Sequence, residues 1–502
     1  MKKGFTLIEL LAVILILGII ALIAIPTVNN ILKESRMGAF RSTVTNIEKA
    51  VEEKCTTEQI KNQEITTMYT ITNGVISPSL DIKGELPNGF IYVNNECIVA
   101  LTLSDNNFTG TKDFGGELVI TEGSNEPRIY VEGILNGADP VLGDNLVPVT
   151  INNDGTVVEA DLYSKWYSYA EKKWANAVIL KADGKIEEDG TILEDSIESY
   201  FVWIPRYKYK LFNTELYSAY IEGNVPESKA KPIDIVFESK NAEPSVGTNV
   251  GDYHSHPAFT SFDTNGLWVA KFETSGTLSN IEIKPNKQAI RNNILNDYFN
   301  AGYNYKRTNE SHMMKNIEWG AVAYLSLSKY GAGSNININN NSNYMTGYSK
   351  IEGKGTGTTS DVTQPYNTEV GYKASTTGNI TGIYDMAGGS NEYMASTVMG
   401  YLGSSGLTSI PKNQYIDFYD KDYTEGTYIF RILGDATGEL GPFYYNGTNV
   451  LNSWYNDISI PNNTNYPWYI RGGTYSNGSL LYFDCLHGYK IDSIGFRVVL
   501  AN

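Results

Sequence analysis

Leu10 to Ile25 is an unbroken apolar run, and from Phe5 to Ile25 the single charged residue is Glu9. Those 21 residues reach about 32 Å as a helix at about 1.5 Å per residue, enough for a hydrocarbon core of about 30 Å. Lys2 and Lys3 precede the run, which holds that end in the cytoplasm and puts the chain after Pro26 outside. Beyond Pro26, where a kink is expected, Val28, Ile31, Leu32, Phe40, Val44, Ile47 and Val51 recur at helical spacing. Lys33, Glu34, Arg36, Arg41, Glu48 and Lys49 fill the other face. The pattern predicts one long helix, apolar in its first half and amphipathic in its second.

The periodicity then changes. From Met68 to about Glu122, runs such as Phe90–Val93 and Cys97–Leu103 alternate with Gly74, Pro78, Gly84, Pro87-Asn88-Gly89 and Asn94-Asn95, the spacing of an antiparallel meander. Turn-forming residues crowd Gly123 to Leu146, and a linker is expected over 123–145. Trp166, Trp174, Trp203 and Trp268 appear only beyond it, and Tyr200–Lys210 reads as a strand. The fold class expected is α+β, with a second region at 146–502.

At 502 residues, the chain is too long for one ordinary domain. A net charge of −17 argues against nucleic acid as a partner, because that contact needs a basic stripe. Only 19% of residues are charged while tyrosines number 36, a recognition composition rather than a disordered one. Three cysteines exclude a disulfide scaffold.

A carboxylate in a spanning helix costs about 2.5–3.5 kcal/mol, so Glu9 needs a purpose. An ordinary secretory signal ending at Ala21 to Ala24 is the plainer reading and gives it none. Lys3-Gly4-Phe5-Thr6-Leu7-Ile8-Glu9-Leu10 resembles the class III signal of type IV pilins and pseudopilins. The resemblance implies a leader at 1–4, cleavage between Gly4 and Phe5 by a prepilin peptidase, and N-methylation of Phe5. It implies a transmembrane and filament-core helix at 5–27, and it pairs Glu9 with the Phe5 ammonium of a neighbouring subunit. The head at 28–122 is likewise similar to a pilin head. Localisation follows as a single-pass bacterial membrane protein, then an extracellular filament or cell surface. That compartment permits a disulfide between Cys55 and Cys97, two separate buried thiols being the alternative.

Three later stretches together resemble the sulfatase-modifying (formylglycine-generating) enzyme family, which has a C-type-lectin-like fold. They are the helix Trp319–Leu325, then Gly382–Gly388 followed by Glu392, then Arg471-Gly-Gly473 with Gly495-Phe-Arg497. The region also resembles the variable proteins of diversity-generating retroelements. Bottom-up, Gly382, Gly388 and Gly389 provide turns, Met386 fills core, and Arg471 and Arg497 lock loops. The enzymes bind copper through two cysteines; this region has Cys485 alone, so no catalysis is expected. No cofactor is expected either, with calcium at the Gly388–Tyr393 turn the one alternative. Cys485 beside His487 shows no base or oxyanion site, and His254-Ser255-His256 is a weak metal signal.

Asn335 to Asn343 is too polar for core, and Tyr444 to Tyr489 mixes Tyr, Trp, Asn, Ser and Gly as binding surfaces do. In the lectin-like fold the resemblance implies, side chains between the two arginine motifs cross an exposed face. The ligand-binding candidates are therefore Trp454, Tyr455, Tyr466, Trp468, Tyr469, Tyr475, Asn477, Tyr482, Asp484, His487 and Tyr489. The expected function is a minor or tip pilin-like protein displaying an adhesin-like domain. Its partners would be pilin subunits, the peptidase, the membrane before assembly, and a protein or glycan ligand. A surface-anchored enzyme of the sulfatase-modifying superfamily and a secretion or DNA-uptake pseudopilin are the alternatives.

Overall fold

The computed structural model describes residues 6–63, 65–123, 129–212, 232–422, 432–440, 444–445, 450–451, 455 and 457–501. Contacts divide the chain into two compact units, 1–134 and 135–502.

The first unit is organised on α1 (Leu7–Ile60), one helix of 54 residues that continues through Pro26. Its start is a capping box: the Thr6 hydroxyl accepts from the Glu9 N–H at 3.4 Å, and the Glu9 carboxylate accepts from the Thr6 N–H at 2.9 Å. Glu9 thus has a partner within its own chain, satisfying N–H groups that no helix can satisfy internally. Gly4 and Phe5 lie outside the described residues.

Among the described residues no helix is long and apolar enough to cross a membrane.

Farther along α1, Phe40, Val44, Ile47, Val51 and Cys55 repeat at steps of three and four, and all are buried. They pack on a sheet of β1 (Met68–Thr72), β2 (Val75–Ser77), β3 (Asn88–Val93), β4 (Val99–Ser104), β5 (Phe108–Lys112) and β6 (Val119–Glu122). The order is β2-β1-β3-β4-β5-β6 and every pairing is antiparallel. Tyr69, Ile71, Ile91, Val93, Val99, Leu101 and Leu103 complete this core. Gly89 is required where β3 meets β4: its φ is 145°, and a Cβ there would lie 2.0 Å from the Thr102 carbonyl oxygen. Cys55 and Cys97 are disulfide-bonded with their Cα atoms 5.6 Å apart, Cys97 standing just ahead of β4 rather than within a strand. Closing that loop stabilises the unit by roughly 3–4 kcal/mol in the chain-entropy account.

An eight-stranded antiparallel sheet forms the frame of the second unit. It contains β7 (Leu146–Ile151), β8 (Val157–Glu159), β9 (Asn176–Leu180), β10 (Thr191–Ile192) and β11 (Ile197–Pro205), in the order β10-β8-β7-β9-β11. The strands Gly266–Ala270, Val498–Leu500 and His312–Met313 follow in that order. Trp203 and Trp268 face each other across β11 and its neighbour, rings 5.2 Å apart. Their indoles donate to the carbonyls of Ala138 at 2.9 Å and Val141 at 2.8 Å. Residues 135–141 are therefore bound into this unit, although the sequence reads there as linker. The helix Asn316–Leu327 is buried along its whole length. It approaches its neighbours so closely at Gly320 that a Cβ would lie 1.9 Å from the Gly434 carbonyl oxygen. The helix and strand content is that of an α+β protein.

Candidate functional site

The motif stretches of the second unit converge on one four-stranded sheet. Asn391–Tyr393 runs antiparallel to Trp468–Arg471 and parallel to Ile494–Gly495, with Phe483–Leu486 on the outer edge. Glu392 is paired in register with both Arg471 and Gly495. Its carboxylate meets the Arg497 guanidinium at 2.6 Å, both side chains fully buried. Arg497 also donates to the carbonyls of Ala270 at 2.8 Å and Tyr384 at 3.1 Å. A planar fork with five donors suits this point, where a carboxylate and two carbonyls must be met together.

Two further buried acids stand close by. Glu273 accepts from the Ser390 N–H at 2.8 Å and hydroxyl at 2.7 Å. Asp385, at a left-handed φ of 61°, accepts from the Gly347 N–H at 2.9 Å and the Asn339 amide at 2.8 Å. Burial pushes all three carboxyls above their ordinary range, most strongly Glu273, while Arg497 pulls each of them back. Arg497 is thus an internal lock, while the buried Arg471 donates to the Ala436 carbonyl at 3.1 Å.

The Asn335–Asn343 stretch corrects the expectation of a polar surface loop. Asn339, Asn340 and Asn341 are buried. Their amides serve the backbone: Asn339 donates to Met345 O and Asn340 to Gly355 O, each at 2.8 Å. Asparagine can enter a core when it supplies the hydrogen bonds that irregular backbone lacks.

The candidate ligand-binding residues separate into two groups. Trp468 and Tyr469 are fully buried, and Tyr482 is 4% exposed. The Trp468 indole donates to Leu402 O at 3.0 Å, the Tyr469 ring packs on Tyr419 and Phe483, and burial raises the Tyr482 hydroxyl. These three are core, which corrects their placement on an exposed face. The signal is readable afterwards: Trp468-Tyr469-Ile470-Arg471 does not alternate, and a continuous run marks a strand covered on both sides.

Tyr466 and Tyr489 remain 42% and 41% exposed, and Asn477 is exposed as well. Tyr455, Tyr475, Asp484 and His487 are half-buried. The His487 ring lies 4.5 Å from Tyr466 and 6.1 Å from Tyr489, so these three side chains form one surface cluster. Tyr475 belongs elsewhere, edge-on to Tyr344 at 5.2 Å, and the Asn477 carbonyl is engaged by the Thr474 hydroxyl at 2.7 Å. Burial raises the Asp484 carboxyl, which accepts from the Cys485 N–H at 2.7 Å. Trp454 lies outside the described residues.

Sequence reasoning missed what adjoins the cluster. The Ser404 N–H donates to the His487 carbonyl at 2.6 Å, tying the loop after Val398 to it. That loop and the strand Asp417–Tyr419 expose Met399, Tyr401, Ile410 and Phe418. Single apolar residues in loops carry no periodic signal, so nothing in the sequence marks them.

Cys485 is a buried thiol donating to Pro461 O at 3.4 Å. His254 contacts the Gly247 carbonyl through Nδ1, and the buried His256 accepts from the Ala258 N–H. Among the described residues no group of three or more His, Cys, Asp or Glu is arranged to hold a metal.

The buried acids give folding a defined pH dependence. Burial raises Asp417, which caps the helix at Ile317, to about 7. Burial likewise raises Glu439, held by the Tyr209 and Tyr324 hydroxyls and the Gly434 N–H, to about 7. Carboxyls with a folded pKa above the unfolded one stabilise most below about 4, and that contribution is lost as pH rises through about 7. His256, lowered to about 3 by burial, runs the other way, its contribution present above about 6.5 and lost on acidification. Between pH 8 and pH 5.5 the two carboxyls outweigh the histidine, by about 2–3 kcal/mol. Thermal unfolding of the full chain should show its later-melting or larger transition moving up at pH 5.5, with Glu439→Gln flattening the profile. A transition that moves down on acidification would contradict this.

A family model described as a prokaryotic N-terminal methylation motif matches residues 1–25. No curated protein matches the chain. Among solved structures, the Treponema denticola variable protein 1 is 15% identical over 66% of this chain and 93% of that one, with a TM-score of 0.16. A likeness that low carries no argument about the fold. The motif is that of type IV pilin-like proteins, and it implies prepilin-peptidase processing, membrane anchoring followed by a surface filament, and assembly with other pilin subunits.

Proposed function

We propose that this chain is a minor or tip pilin-like protein whose second unit presents a ligand-binding face to a protein on another surface. The observation that carries the reading is the Tyr466–His487–Tyr489 cluster, tied through the Ser404–His487 backbone bond to the loop that exposes Met399, Tyr401 and Ile410. Tyr, Met and Phe are enriched where proteins meet, because they offer large contact area at a low ordering cost. A second unit of this size also packs poorly on every subunit of a filament, which favours a minor or tip position. We read that unit as lectin-like and non-catalytic. Support comes from the way Glu392, Arg471 and Gly495-Phe-Arg497 meet in one sheet, and from the lone thiol of Cys485.

The test is adherence of cells displaying the full chain. Tyr466→Ala with Tyr489→Ala should reduce adherence at least about tenfold, because truncating interface aromatics commonly costs about 2 kcal/mol or more each. Both rings are exposed, so the melting temperature should stay nearly constant. Unchanged adherence at normal surface levels would refute the reading.

A further inference from the structure

A groove of about 520 Å³ opens on another part of the second unit, between the helix Leu295–Tyr305 and the hairpin Ser275–Thr277/Asn280–Glu282. The helix turns Leu295, Tyr298, Phe299, Ala301 and Gly302 toward or against the interior. Asp297, Asn300 and Asn304 recur at steps of three and four and line the groove. Ordinarily such a polar helix face looks into bulk water. Here the hairpin turn rises opposite it and brings Ser279 and Asn280 across the gap.

The chemistry of this lining is biased. Glu198, reaching in from β11, shares the groove wall with two donors: the Tyr305 hydroxyl donates to one carboxylate oxygen at 2.8 Å, and the Lys306 ammonium lies 3.0 Å from the same oxygen. The Asn304 amide nitrogen donates to the Asn300 carbonyl at 2.9 Å, and the Asn300 nitrogen to the Asn296 side-chain oxygen at 3.0 Å. With the amide nitrogens turned along the helix, the side-chain oxygens of Asn300 and Asn304 are left for a ligand. Together with the Glu198 and Asp297 carboxylates they make a groove rich in acceptors, in which the two carboxylates outnumber the single ammonium of Lys306. A phosphate, a sulfated sugar or an acidic peptide would be repelled. Leu278 and Ala301 add a small apolar area at the same wall.

The volume falls within the roughly 300–1,000 Å³ typical of small-ligand sites. Acceptors about one helical turn apart suit a ligand that carries several hydroxyl donors along its length. Carboxylates among them suit an ammonium, which forms the stronger, charge-assisted bond. We propose that this groove binds an amino-sugar oligosaccharide, at a site distinct from the aromatic face.

Titration calorimetry of the full chain in detergent at pH 6 tests it, with a glucosamine tetramer as the probe. The fully N-acetylated tetramer and spermine are the comparisons. The glucosamine tetramer should bind, and the acetylated form about tenfold more weakly, because the ammonium is lost. Asp297→Asn should weaken the glucosamine tetramer about tenfold while leaving the acetylated one unchanged. Asn300→Ala with Asn304→Ala should weaken both tetramers at least about tenfold, as hydroxyl acceptors are removed. All three positions lie on the outer face of the helix, so the melting temperature reports whether a variant is folded. Tyr466→Ala with Tyr489→Ala should leave tetramer binding intact, which separates this site from the aromatic face. Absence of tetramer binding at millimolar concentration, spermine binding as tightly as the tetramer, or indifference to the two asparagine changes in a folded protein would each overturn the proposal.

Discussion

Arg497→Ala should unfold the second unit under conditions where the first unit remains folded. The guanidinium is fully buried and meets Glu392 at 2.6 Å, with the Ala270 and Tyr384 carbonyls as further acceptors. Its removal leaves Glu392 with no counter-charge, close to two more buried acids, Glu273 and Asp385, whose carboxyls burial already raises. Breaking a buried pair by deleting one partner costs about 3–5 kcal/mol, and two carbonyls lose donors as well. Set against a typical stability of about 5–15 kcal/mol, that is enough to abolish folding or nearly so. Urea unfolding followed by near-ultraviolet circular dichroism would show the loss. Arg497→Lys should recover only part of it, since an ammonium cannot span a carboxylate and two carbonyls in one plane. A midpoint for Arg497→Ala within experimental error of the parent would show that the lock contributes little.

Trp468→Ala should lower stability by about 3–5 kcal/mol, the usual cost of emptying a buried aromatic site. The indole also donates to Leu402 O at 3.0 Å, and this bond anchors the loop that leads to the aromatic cluster. Loss of binding by this variant would therefore come with a large fall in melting temperature. Tyr466→Ala should instead stay within about 0.5 kcal/mol of the parent. The contrast is decisive because Trp468 and Tyr466 are near neighbours in the chain and look equivalent there. If Trp468→Ala bound weakly while melting normally, the indole would be a contact residue and its burial irrelevant to function.

Several features were legible in the residues alone. The steps of three and four from Phe40 to Val51 do form the buried stripe of α1, because a helix fixes which residues share a face whatever it packs against. The turn residues between Met68 and Glu122 do separate the strands of an antiparallel sheet. The Lys3 to Leu10 stretch lies within the matched methylation motif, since processing enzymes read local sequence. The cap at Glu9 also carries a local mark, since Thr6-x-x-Glu9 is the spacing of a capping box.

Burial in the second unit was another matter. Trp468, Tyr482 and the asparagines 339–341 keep company with Tyr, Asn and Ser, a surface composition, yet the structure buries them. Polarity along a chain says what a side chain can bond, not whether a backbone carbonyl will be waiting for it. Leu402 O for the Trp468 indole and Gly355 O for Asn340 come from tens of residues away or from the next turn of an irregular loop. The same holds for Arg497, whose acceptors lie on three separate segments, at Ala270, Tyr384 and Glu392. Helix periodicity, capping and leader recognition are properties of neighbouring residues, so the sequence by itself determined them. Burial of a polar or aromatic side chain depends on partners brought together only by the completed packing, so the tertiary structure decided which rings face solvent and which hold the core.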